Sequence, residues 1–289
     1  MGGSVAGLEI VDHWIGGVRC AVHDSAPGGS GEAVVFVHGN PGPMDDWAEL
    51  IPEVSGFARV VAMDMPGFGR SDRPRGFDHS IEGHARFLGK LLDQLGVRRA
   101  HLVLHDFGVA WGLRWALDNR ARAASLSLVN CGVLEGYRWH RYARIWQTPV
   151  AGELFQLVSN PRGMRFALDR DNPKPLPRAY INRVHRFADW GHKRAVLRLY
   201  RTSRDPVSAF PERELGAEAI AAAAAGLPVC VLWGAGDPYI PVRFAHLQRT
   251  YFPEAEIHVL DGLGHWPFID DPQAVLTPLA AFLRQRIRD

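Results

Sequence analysis

The chain has 289 residues, of which 47% are hydrophobic and 22% are charged, proportions that are ordinary for a globular enzyme of one or two domains. Its formal net charge of +2 is too small to favour nucleic acid or an anionic membrane surface as a partner. Three cysteines without metal-ligand spacing predict reduced thiols in a cytoplasmic protein. No segment has the pattern of a signal peptide or of a membrane span, so no membrane partner is expected.

Apolar runs bounded by turn residues predict eight β-strands, and longer stretches with apolar residues at helical spacing predict the helices between them. The strands are predicted within residues 8–22 (two strands), 33–37, 60–64, 102–105, 124–130, 227–233 and 257–260. The helices are predicted over residues 45–54, 80–95, 109–118, 242–251 and 273–286. This alternation predicts an α/β fold, with a mostly parallel eight-stranded sheet and helices on both of its faces.

The chain changes character after Cys131, where arginines and aromatic residues become frequent and the alternation of strands stops. We interpret residues 133–222 as a helical lid inserted into an α/β core domain of residues 1–132 and 223–289. An alanine-rich run at residues 219–225 should be helical. We expect the arginines of the lid to lie on solvated helix faces, although they could instead attract an anionic substrate.

One predicted strand ends in a turn that carries a candidate nucleophile. The apolar run 102–105 is followed by Asp106 and Phe107, and Gly108 then leads into a helical pattern. A sharp turn between a strand and a helix can hold a nucleophile exposed above a sheet. A carboxylate in this position attacks carbon directly, forms an alkyl ester and needs no base for that first step. Aspartate is also favoured as a helix N-cap, so the remainder of the chain must decide between the two roles.

Two further residues complete a possible catalytic triad. Asp237 and His265 each follow a predicted strand. Along the chain, Asp106, Asp237 and His265 come in the order nucleophile, acid, histidine, which one class of catalytic triads has. Asp237 would orient the imidazole, and His265 would activate the water that hydrolyses the ester. The backbone N–H groups of Asn40 and Phe107 would form the oxyanion hole.

These motifs resemble the α/β-hydrolase superfamily, and the His-Asp-Phe-Gly run at residues 105–108 resembles its branch with an aspartate nucleophile. The His-Gly-x-Pro element at residues 38–41 and the Gly-x-Gly-His-Trp-Pro element at residues 262–267 are shared widely across the superfamily. The resemblance covers nearly the whole chain. It implies the α/β-hydrolase fold, a small-molecule substrate, no cofactor or metal, and a monomer or homodimer. Five residues are placed in the substrate pocket: His38, Pro41, His105, Trp146 and Trp266.

The lid carries tyrosines that distinguish the members of this branch. Epoxide hydrolases have two lid tyrosines that hydrogen-bond the epoxide oxygen. The first lies five residues before a Gln-x-Pro element, and Tyr142 stands at that distance from residues 147–149. The second lies in a Tyr-Arg pair, which Tyr200 forms with the residue after it. The resemblance therefore assigns these two tyrosines as proton donors, with Tyr137 and Tyr180 as alternatives.

Other positions depart from the epoxide hydrolase pattern. Asn40 resembles haloalkane dehalogenases, in which an asparagine holds the leaving halide, but those enzymes have tryptophan where Phe107 follows the nucleophile. Fluoroacetate dehalogenases tend to have tryptophan at the position of Tyr142. We therefore favour an epoxide hydrolase, with a haloalkane dehalogenase as the alternative and a non-catalytic ligand-binding protein as the third hypothesis. A serine esterase is disfavoured because the chain has no Gly-x-Ser-x-Gly and Asp106 occupies the position of the serine.

Overall fold

The computed structural model describes residues 7–203, 220 and 224–287. Within them, eight strands form a single sheet: β1 (Val11–Ile15), β2 (Val18–Asp24), β3 (Glu32–Val37), β4 (Val60–Met63), β5 (Arg99–His105), β6 (Ala123–Val129), β7 (Val229–Gly234) and β8 (Glu256–Leu260). Their order in the sheet is β1-β2-β4-β3-β5-β6-β7-β8. Strand β2 runs antiparallel to both of its neighbours, and the other neighbouring strands are parallel to each other. The predicted eight-stranded, mostly parallel sheet is confirmed.

Eleven α-helices are found in the described residues: α1 (Ile51–Ser55), α2 (Ile81–Gln94), α3 (Phe107–Asp118), α4 (Arg141–Gln147), α5 (Ala151–Val158), α6 (Pro161–Asp171), α7 (Arg178–Arg186), α8 (Trp190–Thr202), α9 (Arg243–Tyr251), α10 (Pro267–Asp270) and α11 (Pro272–Arg284). A 3₁₀ turn, Met44–Trp47, precedes α1. The single helix predicted over residues 45–54 is therefore divided. Pro52 lies in the first turn of α1, because proline is tolerated where a helix begins and not in its interior.

The central strand β3 shows how the sheet is buried on both faces. Its side chains alternate, so that Val34 and Phe36 pack on one face while Val35 and Val37 pack on the other. Helices α1 and α11 cover the first face, and α2, α3 and α9 cover the second. All four side chains are fully buried. A parallel strand covered on both faces has a continuous apolar sequence, which is why the strand could be recognised.

Helix α2 begins and ends at residues that carry clear local signals. Ser80 is the N-cap, and its hydroxyl accepts a hydrogen bond from the Gly83 N–H at 3.0 Å. Leu88 and Leu92, one helical turn apart, are fully buried against the core. Gly96 follows the last turn with a φ of +68°, a conformation that glycine adopts without strain. Helix α2 therefore closely matches its predicted range.

Helices α4 to α8, which we call the lid helices, come between β6 and β7 in the chain. Together with loops that follow the carboxyl ends of the strands, they enclose a cavity. The predicted end of the lid at residue 222 and most of the helix predicted over residues 219–225 lie outside the described residues. Across residues 7–203, 220 and 224–287, no helix is both long enough and apolar enough to span a membrane.

A buried carboxylate, Asp46, joins the core to the lid helix α7. Its side chain is 1% exposed, and Arg183 Nη2 lies 3.5 Å from its Oδ1 atom. In the part of the chain that the structure describes, its Oδ2 atom has no hydrogen-bond partner. Burial raises the pKa of Asp46 to about 7, although the positive charge of Arg183 opposes that rise. The carboxyl group therefore gains a proton on folding near neutral pH.

We expect Asp46→Asn to change the pH dependence of stability. The unfolded pKa of aspartate is about 3.9, so between about pH 4 and pH 7 the folded state binds more protons and the free energy of unfolding falls as pH rises. Asparagine cannot ionise, so the variant lacks this fall. From pH 5 to pH 8, its free energy of unfolding relative to that of the parent should therefore increase by about 1–3 kcal/mol. Urea unfolding at both pH values measures this gain. The exposed Asp93→Asn is the control, and equal differences at both pH values for Asp46→Asn would contradict the expectation.

Candidate active site

Asp106 stands at a strained turn between β5 and α3. Its backbone has φ +49° and ψ −123°, a region that non-glycine residues adopt only at an energetic cost and often at functional sites. Two glycines make room for this turn. A Cβ atom on Gly39 would lie 2.4 Å from the Asp106 Cβ, and one on Gly108 would lie 2.4 Å from the Val37 carbonyl oxygen. The local sequence therefore places a carboxylate above the end of the sheet.

The Asp106 carboxylate is not used as a helix cap in the described structure. Helix α3 receives no side-chain cap from it, and its Oδ1 atom instead accepts a hydrogen bond from the Asn40 N–H at 2.8 Å. Asn40 follows β3, which is the neighbour of β5 in the sheet. The predicted oxyanion-hole residue Asn40 is thus in contact with the predicted nucleophile. Phe107, the other predicted member, is the first residue of α3 and also lines the cavity.

His265 lies between the two predicted carboxylates. Its Nδ1 atom is 2.7 Å from Asp237 Oδ2, and its Nε2 atom is 3.7 Å from Asp106 Oδ2. The other carboxylate oxygen of Asp237 accepts hydrogen bonds from the N–H groups of Tyr239 and Ile240, at 2.8 and 2.9 Å. The three residues predicted from the order of the chain therefore meet at one end of the sheet, in an arrangement that allows proton transfer near Asp106.

The charges of the three groups depend strongly on one another. Burial would lower the pKa of His265, but the charge of Asp237 and the proximity of Asp106 raise it to about 10. Burial would raise the pKa of Asp106, yet the imidazole of His265 and the Asn40 N–H bring it down to about 2. At neutral pH, Asp106 is therefore a carboxylate and His265 an imidazolium. Loss of the charge on Asp106 would lower the pKa of His265.

Asn130 supports this arrangement and was missed by the sequence analysis. It is fully buried at the end of β6 with a φ of +46°. Its Nδ2 atom donates to Asp237 Oδ2 at 2.8 Å, and its Oδ1 atom accepts from the Gly234 N–H at 3.0 Å. Asn130 therefore donates to the same carboxylate oxygen of Asp237 that His265 contacts, and it ties this carboxylate to the end of β7. The available signal was an asparagine directly after a buried strand, at the edge of the sheet where the other site residues lie.

A cavity of about 420 Å³ lies over Asp106. Of the five predicted pocket residues, Pro41, Trp146 and Trp266 line it. Neither His38 nor His105 is found among the described residues that line the cavity, which corrects the prediction for both.

The two histidines are turned into the core because their side chains bind the loops beneath the cavity. His38 Nε2 accepts a hydrogen bond from the Met65 N–H at 2.9 Å. His105 Nε2 lies 2.9 Å from the carbonyl oxygen of His265, to which it can donate. Burial lowers the pKa of His38 to about 4 and that of His105 to about 3. Both are neutral at physiological pH and fasten the loops that carry the site.

The two predicted lid tyrosines both line the cavity, but their hydroxyl groups have different partners. The Tyr200 hydroxyl accepts a hydrogen bond from Asn40 Nδ2 at 3.3 Å, and the Tyr200 side chain is buried. The Tyr142 hydroxyl donates to Asp171 Oδ2 at 3.3 Å and accepts from Arg141 Nη2 at 3.1 Å. Tyr200 is thus connected through Asn40 to Asp106, whereas Tyr142 is held by charged lid side chains.

The alternative tyrosines occupy different environments. Tyr137 lines the cavity, and its hydroxyl donates to the carbonyl oxygen of Tyr239 at 3.2 Å. Tyr180 packs against Trp266, with ring centroids 5.8 Å apart, and is not among the described residues that line the cavity. In the described part of the chain, neither hydroxyl forms a hydrogen bond with Asp106.

His140 and Tyr239 are cavity residues for which the sequence held no motif. His140 is the N-cap of α4, and its Nδ1 atom accepts from the Ala143 N–H at 3.3 Å. This bond leaves a proton on Nε2. Burial lowers the pKa of His140 to about 4, so the ring is neutral. The Tyr239 ring packs on the rings of His140 and His265, with centroid distances of 5.1 and 5.2 Å, respectively. The site therefore has a further neutral N–H donor.

Several charged side chains of the lid pair with one another. Arg201 binds Glu153 with a nitrogen–oxygen distance of 2.7 Å, and Arg141 binds Asp171. Arg170 lines the cavity and also pairs with Asp171 at 3.2 Å. Among the described residues, histidine, cysteine, aspartate and glutamate side chains form no group of three or more that could hold a metal ion.

Comparisons with known proteins agree with the fold. A model of the alpha/beta hydrolase fold family matches residues 32–272. A cis-3-alkyl-4-alkyloxetan-2-one decarboxylase from Xanthomonas campestris is 26% identical over 290 residues, covering 93% of each chain. A haloalkane dehalogenase from Mesorhizobium japonicum is 34% identical over 134 residues, covering 46% of this chain and 42% of that protein. The solved structure of epoxide hydrolase CorEH has a TM-score of 0.78 and 19% identity, covering 96% of this chain and 98% of that one. Because the family match spans most of the chain, this protein belongs to the alpha/beta hydrolase fold family.

Proposed function

We propose that the protein is an epoxide hydrolase, which opens an epoxide to a vicinal diol through an alkyl ester on Asp106. One observation carries the proposal. The turn after β5 carries the carboxylate of Asp106 in place of a hydroxyl group, and the imidazole of His265 lies beside it. Asn40 contacts both this carboxylate, through its N–H, and the buried hydroxyl of Tyr200, through its side-chain amide. The similarity to proteins named haloalkane dehalogenase and epoxide hydrolase supports a carbon electrophile as the substrate.

In the first step, a carboxylate oxygen of Asp106 attacks an epoxide carbon, and the bond between that carbon and the ring oxygen breaks. The departing alkoxide is a strong base and needs a proton. Tyr200 accepts the hydrogen bond from Asn40, so its own hydroxyl proton is available to the ring oxygen. Burial raises the pKa of Tyr200 well above its usual value, and the phenol is therefore protonated before the reaction.

The second step follows from the charges of the site. Ester formation removes the negative charge of Asp106, one of the groups that raise the pKa of His265. The imidazolium can then lose its proton, which replaces the one that Tyr200 donated in the first step, and the neutral imidazole accepts a proton from the attacking water. The Asn40 N–H already contacts Asp106 and can hold the oxyanion together with the Phe107 N–H. Cleavage of the acyl–oxygen bond expels the alkoxide, which takes the second proton of the attacking water, so that the diol is released and the Asp106 carboxylate is restored.

Tyr142 is proposed as the lesser of the two tyrosine donors. Its hydroxyl would have to leave Asp171 before it could reach an epoxide. The Nε2–H of His140, which lines the same cavity, needs no such exchange of partners. Tyr200 is therefore the principal donor in the proposed mechanism.

A specific observation also favours a second candidate, a haloalkane dehalogenase. The indole N–H groups of Trp146 and Trp266 are buried at the cavity and have no hydrogen-bond partner among the described residues. A halide ion needs only such donors, because it is a weak base. The Asn40 amide would add a third donor. Reactions with an epoxide, a bromoalkane and an oxetan-2-one should therefore be compared side by side.

A single turnover in water labelled with heavy oxygen tests the proposed mechanism. With enzyme in excess, we expect the label in Asp106 and unlabelled oxygen in the first diol, because the nucleophilic oxygen comes from the carboxylate. Mass spectrometry of the diol and of the peptide that contains Asp106 measures both. Asp106→Asn should form no diol. A first-turnover diol that carries solvent oxygen would show direct attack by water and contradict the proposal.

A further inference from the structure

The cavity continues from Asp106 through the lid to the protein surface. Near the nucleophile it is lined by polar groups, which include Asn40 and Tyr200. At the other end it is lined by Val158 and Phe166, each of which is also 69% exposed. We call these two residues the apolar rim. Because the same side chains line the cavity and face solvent, the cavity opens at the rim.

The opening lies between two lid helices that pack against different partners. Helix α5, which carries Val158, packs on α4 and α8, whereas α6, which carries Phe166, packs on α7. The wall between nucleophile and rim is formed by Trp146, Phe155 and Met164, among others. The Trp146 and Phe155 rings lie 6.2 Å apart. The passage between the two ends is therefore mostly apolar, although Gln156 and His192 also line the cavity.

Polar groups return at the outer end of the passage. Ser159 and Asn160, which follow the rim residue Val158, line the cavity, as does Arg170, one helical turn beyond Phe166. A ligand that fills the passage would thus meet polar groups at its two ends and apolar side chains along its middle. A volume of about 420 Å³ is much more than a small epoxide such as propylene oxide needs.

We propose that the cavity binds a substrate with a long aliphatic chain, with its reacting carbon at Asp106 and its far end at the apolar rim. This inference rests on the proposed function, because the reacting group is taken to be an epoxide. Methylene groups along the passage would leave water and contact Trp146, Phe155 and Met164. The rim lets a longer chain emerge into solvent, so the cavity sets no sharp upper limit on chain length.

A series of terminal epoxyalkanes of increasing length tests the inference. We expect kcat/KM to rise about fourfold for each added methylene while the chain lies in the passage. It should level off once the chain passes the rim. All substrates are kept below their solubility limits, so that micelles do not contribute. A value of kcat/KM that is flat or falls with chain length would overturn the inference.

Substitutions in the passage give a sharper test. Ala167 lines the cavity on α6, and Ala167→Trp should remove the gain with chain length by filling the passage. The matched control is Leu157→Trp, because Leu157 is 58% exposed and lies outside the described cavity lining. It should keep the parent profile.

Should Ala167→Trp fail to fold, Gly163→Leu provides a milder block. A Cβ on Gly163 would meet no atom closer than 3.7 Å. A parent-like chain-length profile in a folded variant with either block would overturn the inference.

Binding of linear alkanols separates this inference from the proposed function. Alkanols carry no reactive group, and their binding can be followed through the fluorescence of the cavity tryptophans. Affinity should rise about fourfold per methylene in the parent and lose that dependence in Ala167→Trp or Gly163→Leu. If this is observed while no epoxide is turned over, the epoxide assignment fails and the chain-binding cavity stands. Affinity independent of chain length would overturn the inference even in an active epoxide hydrolase.

Discussion

Replacing His265 with glutamine is expected to leave ester formation largely intact and to slow ester hydrolysis by about 10²–10⁴-fold, the usual contribution of a general base. Attack by the Asp106 carboxylate on carbon needs no base, whereas attack by water on the ester does. In the proposed mechanism His265 is that base, with Nε2 at 3.7 Å from Asp106 and Nδ1 at 2.7 Å from Asp237. The variant should therefore accumulate the alkyl-enzyme after a stoichiometric burst.

Intact-mass measurement should show the enzyme enlarged by the mass of one epoxide, and peptide mapping should place the addition on Asp106. Asp237→Asn should impair the same step, because it disturbs the orientation of the imidazole. His258→Gln is the control, since His258 lies in β8 and outside the described cavity lining. Near-parental turnover by His265→Gln, without an adduct, would show that the base is elsewhere.

Replacing Tyr200 with phenylalanine is expected to slow ester formation from epoxides by about 10²–10⁴-fold and to affect a bromoalkane far less. An epoxide expels an alkoxide, which must be protonated, while a bromide leaves without a proton. Tyr142→Phe should have the smaller effect on epoxides, because the Tyr142 hydroxyl is bound to Asp171. Rapid-quench measurement of ester formation from one epoxide and one bromoalkane, in the parent and in both variants, gives the six rates that are compared.

Two further observations complete this comparison. Thermal unfolding shows whether Tyr200→Phe remains folded once the Asn40 amide has lost its partner. Asn40→Ala keeps the backbone N–H that contacts Asp106, so its effect on epoxides should be smaller than that of Tyr200→Phe. A dehalogenase would give the reverse pattern. Faster ester formation from the bromoalkane, together with insensitivity to Tyr200→Phe, would refute the epoxide hydrolase assignment.

The position of the candidate nucleophile could be predicted because local sequence and strand geometry determine it. Parallel strands that are buried on both faces have continuous apolar sequences, so β3 and β5 could be recognised directly. The carboxyl ends of parallel strands meet at one edge of the sheet. Residues that follow different strands, such as Asp106, Asp237 and His265, were therefore expected to converge, and the structure brings them together. Their catalytic roles remain a proposal.

The direction in which side chains turn beyond the strand ends was decided by tertiary packing. His38 and His105 stand next to Gly39 and Asp106, respectively, but both rings turn under the cavity. His38 packs against the Phe68 and Trp111 rings, and His105 against those of Trp47 and Phe268. These partners come from distant parts of the chain, so the residues next to each histidine in sequence could not predict the direction of its ring.

The lid contributes most of what the sequence alone could not determine. Motif spacing identified Tyr142 and Tyr200 as a pair, yet one hydroxyl binds Asp171 and the other binds Asn40. His140 belongs to no motif and enters the cavity only because it begins helix α4. Short helices without a repeating strand pattern can pack over a sheet in many ways. Their hydrogen-bond partners, up to 160 residues away in the chain, are therefore settled only when the whole chain is folded.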